Sequence, residues 1–231
     1  MTQIRVVDLS AALSPDTVMW PGDEPLVATT VETIEQHGSF SRRVSLGEHS
    51  GTHFDAPAHC AQGAEAVADV SAERLVRPLR VLDISERANT DSTSELTTAD
   101  IAEHEASHGR IEDGCAVFLC TGWDSRRDDK SAYAGPDAQL AFPGFGLESA
   151  RLLVEERNVV GLGIDTLSVD AGHTTGFPIH QGVTLPRGVW HVENAVNLSS
   201  VPASGAWVVV GVPRVVAASG FPARVLALIV D

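Results

Sequence analysis

The chain has 231 residues, the length of one large domain or two small ones, and 43% of them are hydrophobic, enough to bury a core. Sixteen basic against 31 acidic side chains leave a formal charge of −15. That balance excludes the basic footprint nucleic acid requires, and it would repel an anionic membrane surface. Twenty glycines and 12 prolines indicate many turns.

The first ten residues run into a strand pattern with no basic stretch followed by an apolar one, so no secretory leader is expected. No apolar run reaches the length of a membrane span. The cysteines, Cys60, Cys115 and Cys120, are few and odd in number, which fits a reducing compartment. The Asn197-Leu198-Ser199 sequon carries no weight without a leader. The expectation is a cytoplasmic protein formed by one domain over 1–231.

Runs rich in β-branched residues predict strands near 4–9, 42–48, 79–84, 115–121, 159–164, 206–212 and 224–230. Helical patterns are fewer. A short one covers 71–76, and another covers 98–108, opened by Thr97 and Thr98 with Asp100 in its first turn. The clearest is 147–157, where Leu147, Ala150, Leu153 and Val154 make an apolar stripe that Asn158 ends. It leads directly into a strand, a connection typical of α/β packing. The polar, Gly/Pro-rich stretch 124–145 reads as a long loop, either a lid or a surface excursion, and its charge cluster at 125–130 reads as solvated. No internal repeat is present.

The most informative segment is His49-Ser50-Gly51-Thr52-His53-Phe54-Asp55-Ala56-Pro57-Ala58-His59. Gly51 and Pro57 disfavour a helix, and in an extended chain residues of one parity share a face. Positions 49, 53, 55 and 59 are all odd, so three imidazoles and a carboxylate project toward one volume. Neutral imidazoles and an ionised carboxylate suit Zn²⁺ or Mn²⁺. Three such ligands and an open position make a catalytic site whose bound water ionises near a pKa of ~7. His49, His53 and Asp55 form the tight group. His59, displaced beyond Pro57, suits general acid/base work, with a fourth ligand as its competing role. The bland reading is a set of satisfied structural histidines in a turn, which three His and one Asp within eleven residues make unattractive.

Distant partners are not resolved by spacing. His104 and His108 are four apart on the predicted helix, but among Glu103, Glu105 and Ser107 they read as a solvated face. Asp165 and Asp170 follow a buried-type strand, and His173, His180, His191 and Glu193 come after them; composition does not say which closes the site. Cys60 adjoins His59, yet sequence neighbours usually point apart, which disfavours a thiolate pair. Cys115 and Cys120 read as core thiols. There is no G-x-S-x-G elbow and no P-loop, and Gly161-Leu162-Gly163 lacks the rest of a dinucleotide signature.

The eleven-residue segment resembles the H-x-G-T-H-x-D-x-P-x-H signature of the cyclase-like metal hydrolases, which include bacterial kynurenine formamidase, isatin hydrolase and metal-dependent dienelactone hydrolases. Weaker matches occur in the family's order: Trp20 to Asp23, Gly163 to Thr166 with Ser168 and Asp170, Val192 to Asn194 with Asn197 and Leu198, and Pro222 to Arg224. The resemblance implies a swivelling β/β/α fold with a barrel-like β core flanked by helices, assembled as a homodimer or higher homo-oligomer. It implies one or two divalent metals, Zn²⁺ or Mn²⁺. His49, His53 and Asp55 would bind the first ion, Asp55 and Glu193 would bridge to a second that His180 also holds, and His59 would be the acid/base. Trp20 matches an aromatic position against the substrate ring; a Trp covering the Pro21-Gly22 turn is the alternative. Residues 192–198 and 170–173 look nearer the isatin-hydrolase side of the family, and the turn at 186–188 and the 124–145 stretch depart from the compact formamidases. The resulting expectation is a hydrolase of an aryl formamide such as N-formylkynurenine. Three rivals stand beside it: the same machinery opening a lactam or lactone, a non-catalytic metal- or ligand-binding module, and a Cys60 nucleophile.

Overall fold

A computed structural model describes residues 3–136 and 139–230. Its strands are β1 (Ile4–Asp8), β2 (Val27–Glu32), β3 (Ser41–Ser45), β4 (His53–Asp55), β5 (Val76–Asp83), β6 (Glu95–Leu96) and β7 (Ala116–Cys120). The second half adds β8 (Gly144–Phe145), β9 (Gly161–Ile164), β10 (Trp190–Glu193), β11 (Ala206–Gly211), β12 (Gly220–Pro222) and β13 (Arg224–Val230). The α-helices are α1 (Ile34–His37), α2 (Ser85–Thr90), α3 (Thr98–His108), α4 (Lys130–Ala134) and α5 (Leu147–Arg151).

Nine strands form one curled half-barrel in the order β1-β13-β11-β5-β7-β9-β10-β4-β12. The centre, β5-β7-β9-β10, is parallel and both flanks are antiparallel. Parallel strands are covered on both faces, so they read as continuous apolar runs. In β7, Ala116, Phe118 and Cys120 point into one core while Val117 and Leu119 point into another beneath α3 and α5. This is the expected α/β architecture with a barrel-like core flanked by helices. β2 and β3 form a separate hairpin.

The seven predicted strands are all present, 224–230 with the expected ends and the others with shifted ones. Those not predicted are mostly short: β4, β6, β8, β10 and β12 have two to four residues each, too few to show a period of two. The 71–76 helix is reduced to a 3-10 turn over Ala72–Leu75, and Val76 already belongs to β5. α3 begins as expected, with a capping box in which Thr97 and Asp100 satisfy each other's backbone N–H groups. The 147–157 helix starts as α5 and widens into a π-helical turn, Leu152–Glu156, before Asn158 leaves the helix at φ 49°.

One expectation is corrected. His104 is not on a solvated face: it lies three residues from buried Ile101 and shares its side of α3, with 8% of its surface exposed. Burial lowers its pKa to about 4. Within 124–145, Tyr133, Ala134 and Phe142 pack with Trp123 and Leu167 into a small core, and Arg126 stacks over Trp123 at 3.9 Å. Asp137 and Ala138 of that stretch lie outside the described residues.

Gly161 and Gly163 serve packing. A Cβ at Gly161 would stand 2.4 Å from the Trp190 ring, and one at Gly163 would stand 2.5 Å from Phe118. Gly161→Ala should therefore destabilise the protein by about 1–3 kcal/mol through overpacking. Gly182→Ala, where a Cβ meets nothing within 4 Å, should stay within about 0.5 kcal/mol. Equal urea midpoints for the two variants would contradict this account.

Arg157 clamps α3 to the end of the 147–157 helix through two hydrogen bonds to Glu105, at 2.7 and 3.0 Å. That guanidinium holds the Glu105 carboxyl down to about 2. A carboxyl lowered by folding stabilises the fold above its unfolded pKa, and that contribution disappears as pH falls through its folded value. Glu105→Gln should cost about 1.5–3 kcal/mol at pH 7. Its deficit against the unaltered protein should close between pH 5 and pH 2, as read by chemical denaturation.

Candidate metal centre and substrate cavity

The centre is built on the antiparallel register of β4 against β10, which pairs Asp55 with His191, Phe54 with Val192 and His53 with Glu193. Alternation sends Phe54 and Val192, both fully buried, into the core. It leaves His53, Asp55, His191 and Glu193 together on the opposite face. On the other side of β4 runs β12, where Gly220 pairs with Asp55. A side chain there would collide with His49, since a Cβ would stand 2.5 Å from its Cε1, so the glycine makes room for the imidazole. His180 enters from a π-helical turn, His180–Thr184, and His59 from a 3-10 turn, Pro57–His59.

The parity argument thus applies to His53 and Asp55, which lie on a strand, but not to His49 and His59, which lie in a loop and a turn. The fold nevertheless brings His49 and His59 to the same place: their rings lie 4.0 Å apart, tilted by 36°.

Each of three imidazoles has its proton tied outward. His53 donates from Nδ1 to the Gly51 carbonyl at 2.8 Å, leaving Nε2 3.2 Å from Asp55 Oδ1 and 3.6 Å from Glu193 Oε2. His180 donates from Nδ1 to Asp170 Oδ2 at 2.7 Å, leaving Nε2 3.3 Å from Glu193 Oε1 and 3.7 Å from Asp55 Oδ2. Ser219 spends its hydroxyl hydrogen on Glu48 at 2.7 Å, so at 2.9 Å it accepts from His49 Nε2. His49 Nδ1 then faces Asp55 Oδ1 at 2.6 Å. Outer partners that fix the tautomer in this way are characteristic of metal-binding histidines.

With the rings neutral, lone pairs would face one another inside the protein, a repulsion that a proton or a cation relieves. Burial opposes charge on His53, but Asp55 and Glu193 outweigh it and raise its pKa to about 9. Burial likewise opposes charge on His180, and hydrogen bonds to Asp170, Asp55 and Glu193 hold its pKa well above the usual value. Asp55 Oδ2 and His191 Nδ1 are buried with no hydrogen-bond partner, 3.7 Å apart. Ligand atoms on one ion, at bonds of about 2.0–2.2 Å, stand roughly 3.0–3.5 Å from each other. These donors fit a divalent cation.

The cluster opens onto a cavity of about 450 Å³ whose lining includes Trp20, His59, Leu167, Phe177 and Asn194. Trp20 meets Phe177 at 5.7 Å between ring centroids and Phe142 at 6.4 Å. Phe177 holds a left-handed backbone, φ 48°, at the cavity wall. Cys60 also lines the cavity beside His59, because successive residues of a tight turn do not alternate as a strand's do. Burial pushes its thiol pKa up, which opposes the thiolate a nucleophile requires.

Of the residues expected in the site, His49, His53, Asp55, His59, His180, Glu193 and Trp20 come together around this cavity. His173 does not join them; its Nε2 lies 3.3 Å from Glu95. Sequence reasoning left His191 uncommitted and passed over Ser219 and Glu48. The signal for His191 was its separation of two from Glu193, which becomes legible only once β10 is known to be a strand. Among the described residues no helix is long and apolar enough to cross a membrane.

Residues 7–171 match the Cyclase family, described as "Putative cyclase". The chain is 32% identical to isatin hydrolase of Roseibium aggregatum, over 98% of this chain and 92% of that one. It is 27% identical to kynurenine formamidase of Salinibacter ruber, over 96% of each. The solved structure of isatin hydrolase A from Labrenzia aggregata, bound to benzyl benzoate, superposes with a TM-score of 0.93 at 31% identity, covering 99% of this chain and 94% of that one. By sequence along most of its length and by fold, the chain belongs to the Cyclase family of cyclase-like hydrolases.

Proposed function

We propose that this protein is a divalent-metal-dependent hydrolase of a carbon–nitrogen bond on a small aromatic compound, and that its substrate class is a cyclic aryl amide of the isatin type. One observation carries the reading: a cluster of buried lone pairs opens onto an aromatic-walled cavity of a size suited to one small ring system. The similarity to isatin hydrolase, 32% against 27% for a formamidase, favours the ring-closed amide over the aryl formamide expected from the sequence. The formamide remains the second reading, supported by the formamidases' match over 96% of the chain.

His49, His53 and Asp55 would hold the ion that faces the cavity. When bound, a Zn²⁺- or Mn²⁺-class ion would supply an ionised water at neutral pH and polarise the amide carbonyl. The chain's own residues do the rest. Trp20 and Phe177 wall the cavity and orient the ring. His59 makes no side-chain hydrogen bond among the described residues, and its ring rests on His49. Enclosure by the protein lowers its pKa to about 4, so it is neutral at pH 7. A neutral imidazole there can take a proton on one ring nitrogen and deliver it to the amide nitrogen as the carbon–nitrogen bond breaks. Asp170 holds His180 from behind and excludes its Nδ1 from the site.

His59→Ala should lower kcat by 10²–10⁴ while metal content stays near that of the unaltered protein. His53→Ala should lose metal and activity together. Equal metal loss in both variants, by elemental analysis, makes His59 a ligand instead. Cys60→Ser should keep most of the activity; loss of turnover with metal retained would restore the thiol reading.

A panel of isatin, an aryl formamide and a lactone separates the substrates. Ring opening of isatin yields one product and no formate, and this is the expected result. Formate release without ring opening returns the protein to the formamidases. Full metal occupancy with no hydrolysis of any member leaves only a binding module.

A further inference from the structure

We propose that residues 27–45, the β2–β3 hairpin with α1 at its tip, form an arm that grips a second copy of this chain, so that two copies associate by exchanging arms. Motif resemblance implied an oligomer but no surface for it; the segment and its chemistry come from the structure. The proposal is independent of the metal and the substrate that the centre takes.

No side chain from Val27 to Ser45 is buried. Among the described residues, the hydrogen bonds of this segment all stay inside it: the β2–β3 ladder, the turn of α1, and Glu32, which accepts from Ser39 and Ser41 at 3.0 Å. None of its side chains belongs to a hydrophobic core. The rest of the chain holds it only at its ends. Leu26 is buried just before β2, and Glu48, three residues after β3, accepts from Ser219 N and Oγ at 2.8 and 2.7 Å. Asp23 and His49, a few residues beyond those ends, both line the cavity, so the arm springs from the cavity rim. A two-stranded hairpin by itself is at best marginally stable in water. Six strand residues at about 3.3 Å each carry the tip roughly 20 Å from its root, far enough to lie on another molecule.

The side chains of Val27, Val31, Ile34, Phe40 and Val44 are between 48% and 72% exposed. Together they leave on the order of 500 Å² of apolar surface in water, the upper end of what a soluble monomer carries. Strand pairing puts Ala28, Val44 and Arg42 on one face of the hairpin, and Val27 and Arg43 on the other. Each face therefore mixes apolar and cationic groups, and neither is the polar side of a solvated sheet. Arg42 and Arg43 have no ion-pair partner among the described residues. A second copy answers that charge, since its acidic side chains outnumber its basic ones 31 to 16. The same excess repels a nucleic acid or an anionic membrane. Covering the apolar surface of both arms, with equal areas of the copies beneath them, buries about 2,000 Å², enough for a stable interface. A two-fold axis achieves this with one contact made twice and leaves no open end.

Sedimentation equilibrium of the full chain at micromolar concentration reads the assembly directly, and a mass of twice 24.4 kDa is expected. Phe40→Glu and Ile34→Glu, each placing a charge in the contact, should weaken the dimer Kd about 30-fold or more. Far-UV circular dichroism should stay unchanged, because the arm packs on nothing in its own chain. Arg42→Glu combined with Arg43→Glu should weaken the dimer about 10-fold or more at low salt. Trp207→Glu, on exposed surface outside the arm, is the control and should stay dimeric. Trypsin reads the arm itself: the bonds after Arg42 and Arg43 should resist cleavage in the unaltered protein and be cut readily in Phe40→Glu. A monomeric unaltered chain overturns the proposal, whatever other macromolecule it captures. So does an oligomer whose mass Phe40→Glu leaves unchanged; a larger assembly supports the proposal only where that variant halves its mass. Rapid cutting at Arg42 or Arg43 in the unaltered oligomer also overturns it, even if the arm variants fail to fold.

Discussion

The register between β4 and β10 is the constraint from which the site follows. Phe54 and Val192 occupy the core side of the pair with no exposed surface, so a slip of one residue would place two large apolar side chains among the carboxylates and the histidines in the core. Hydrophobic burial therefore enforces the alignment that sets Asp55 against His191 and His53 against Glu193. The chemistry of the centre is held in place by packing on the other face of the same two strands. Three residues of β4 could not do this alone. β12 pairs along its other edge, and β9 supports β10 from the parallel centre of the sheet.

Around that pair the protein directs four imidazole protons outward, by three different means. A backbone carbonyl receives the one from His53, a carboxylate the one from His180, and hydroxyls already committed as donors receive those from His49 and His191. The consequence is electrostatic. Asp55 and Glu193 sit out of water with no Lys or Arg ion-paired to either among the described residues, and the nearest positive charge available is a proton on an imidazole or a cation. Burying a carboxylate without a counter-charge is costly enough that one of these must be present. The strong upward pull on the His53 and His180 pKa values is the same demand expressed through protons.

The cavity side is arranged differently. Phe177 keeps a left-handed backbone between Gly176 and Pro178, a conformation with a steric cost that packing against Trp20 and His180 offsets. The 124–145 stretch supports this wall from behind, since Phe142 reaches Trp20 from within the small core around Trp123 and Tyr133. A polar, Gly/Pro-rich segment that reads as a lid or an excursion thus packs behind the aromatic wall of the cavity.

The chain by itself determined the long strands, the α/β class, the helix over 98–108 with its cap, and the local grouping of His49, His53 and Asp55. These rest on periodicity, capping and residue type within a few positions, which are properties of neighbouring residues. It also singled out His59, though through a parity that a 3-10 turn does not obey. Tertiary structure alone decided the rest. That His104 is buried depends on what α3 packs against, and that His191 faces Asp55 depends on strands 136 positions apart in the chain meeting in one register. Short strands such as β4 and β10 carry too few residues to announce themselves, and a tautomer is set by partners such as Thr184 and Ser219 that no local pattern connects to their histidines. Spacing finds ligands that one stretch of backbone presents together; only the folded sheet can show which distant lone pairs complete them.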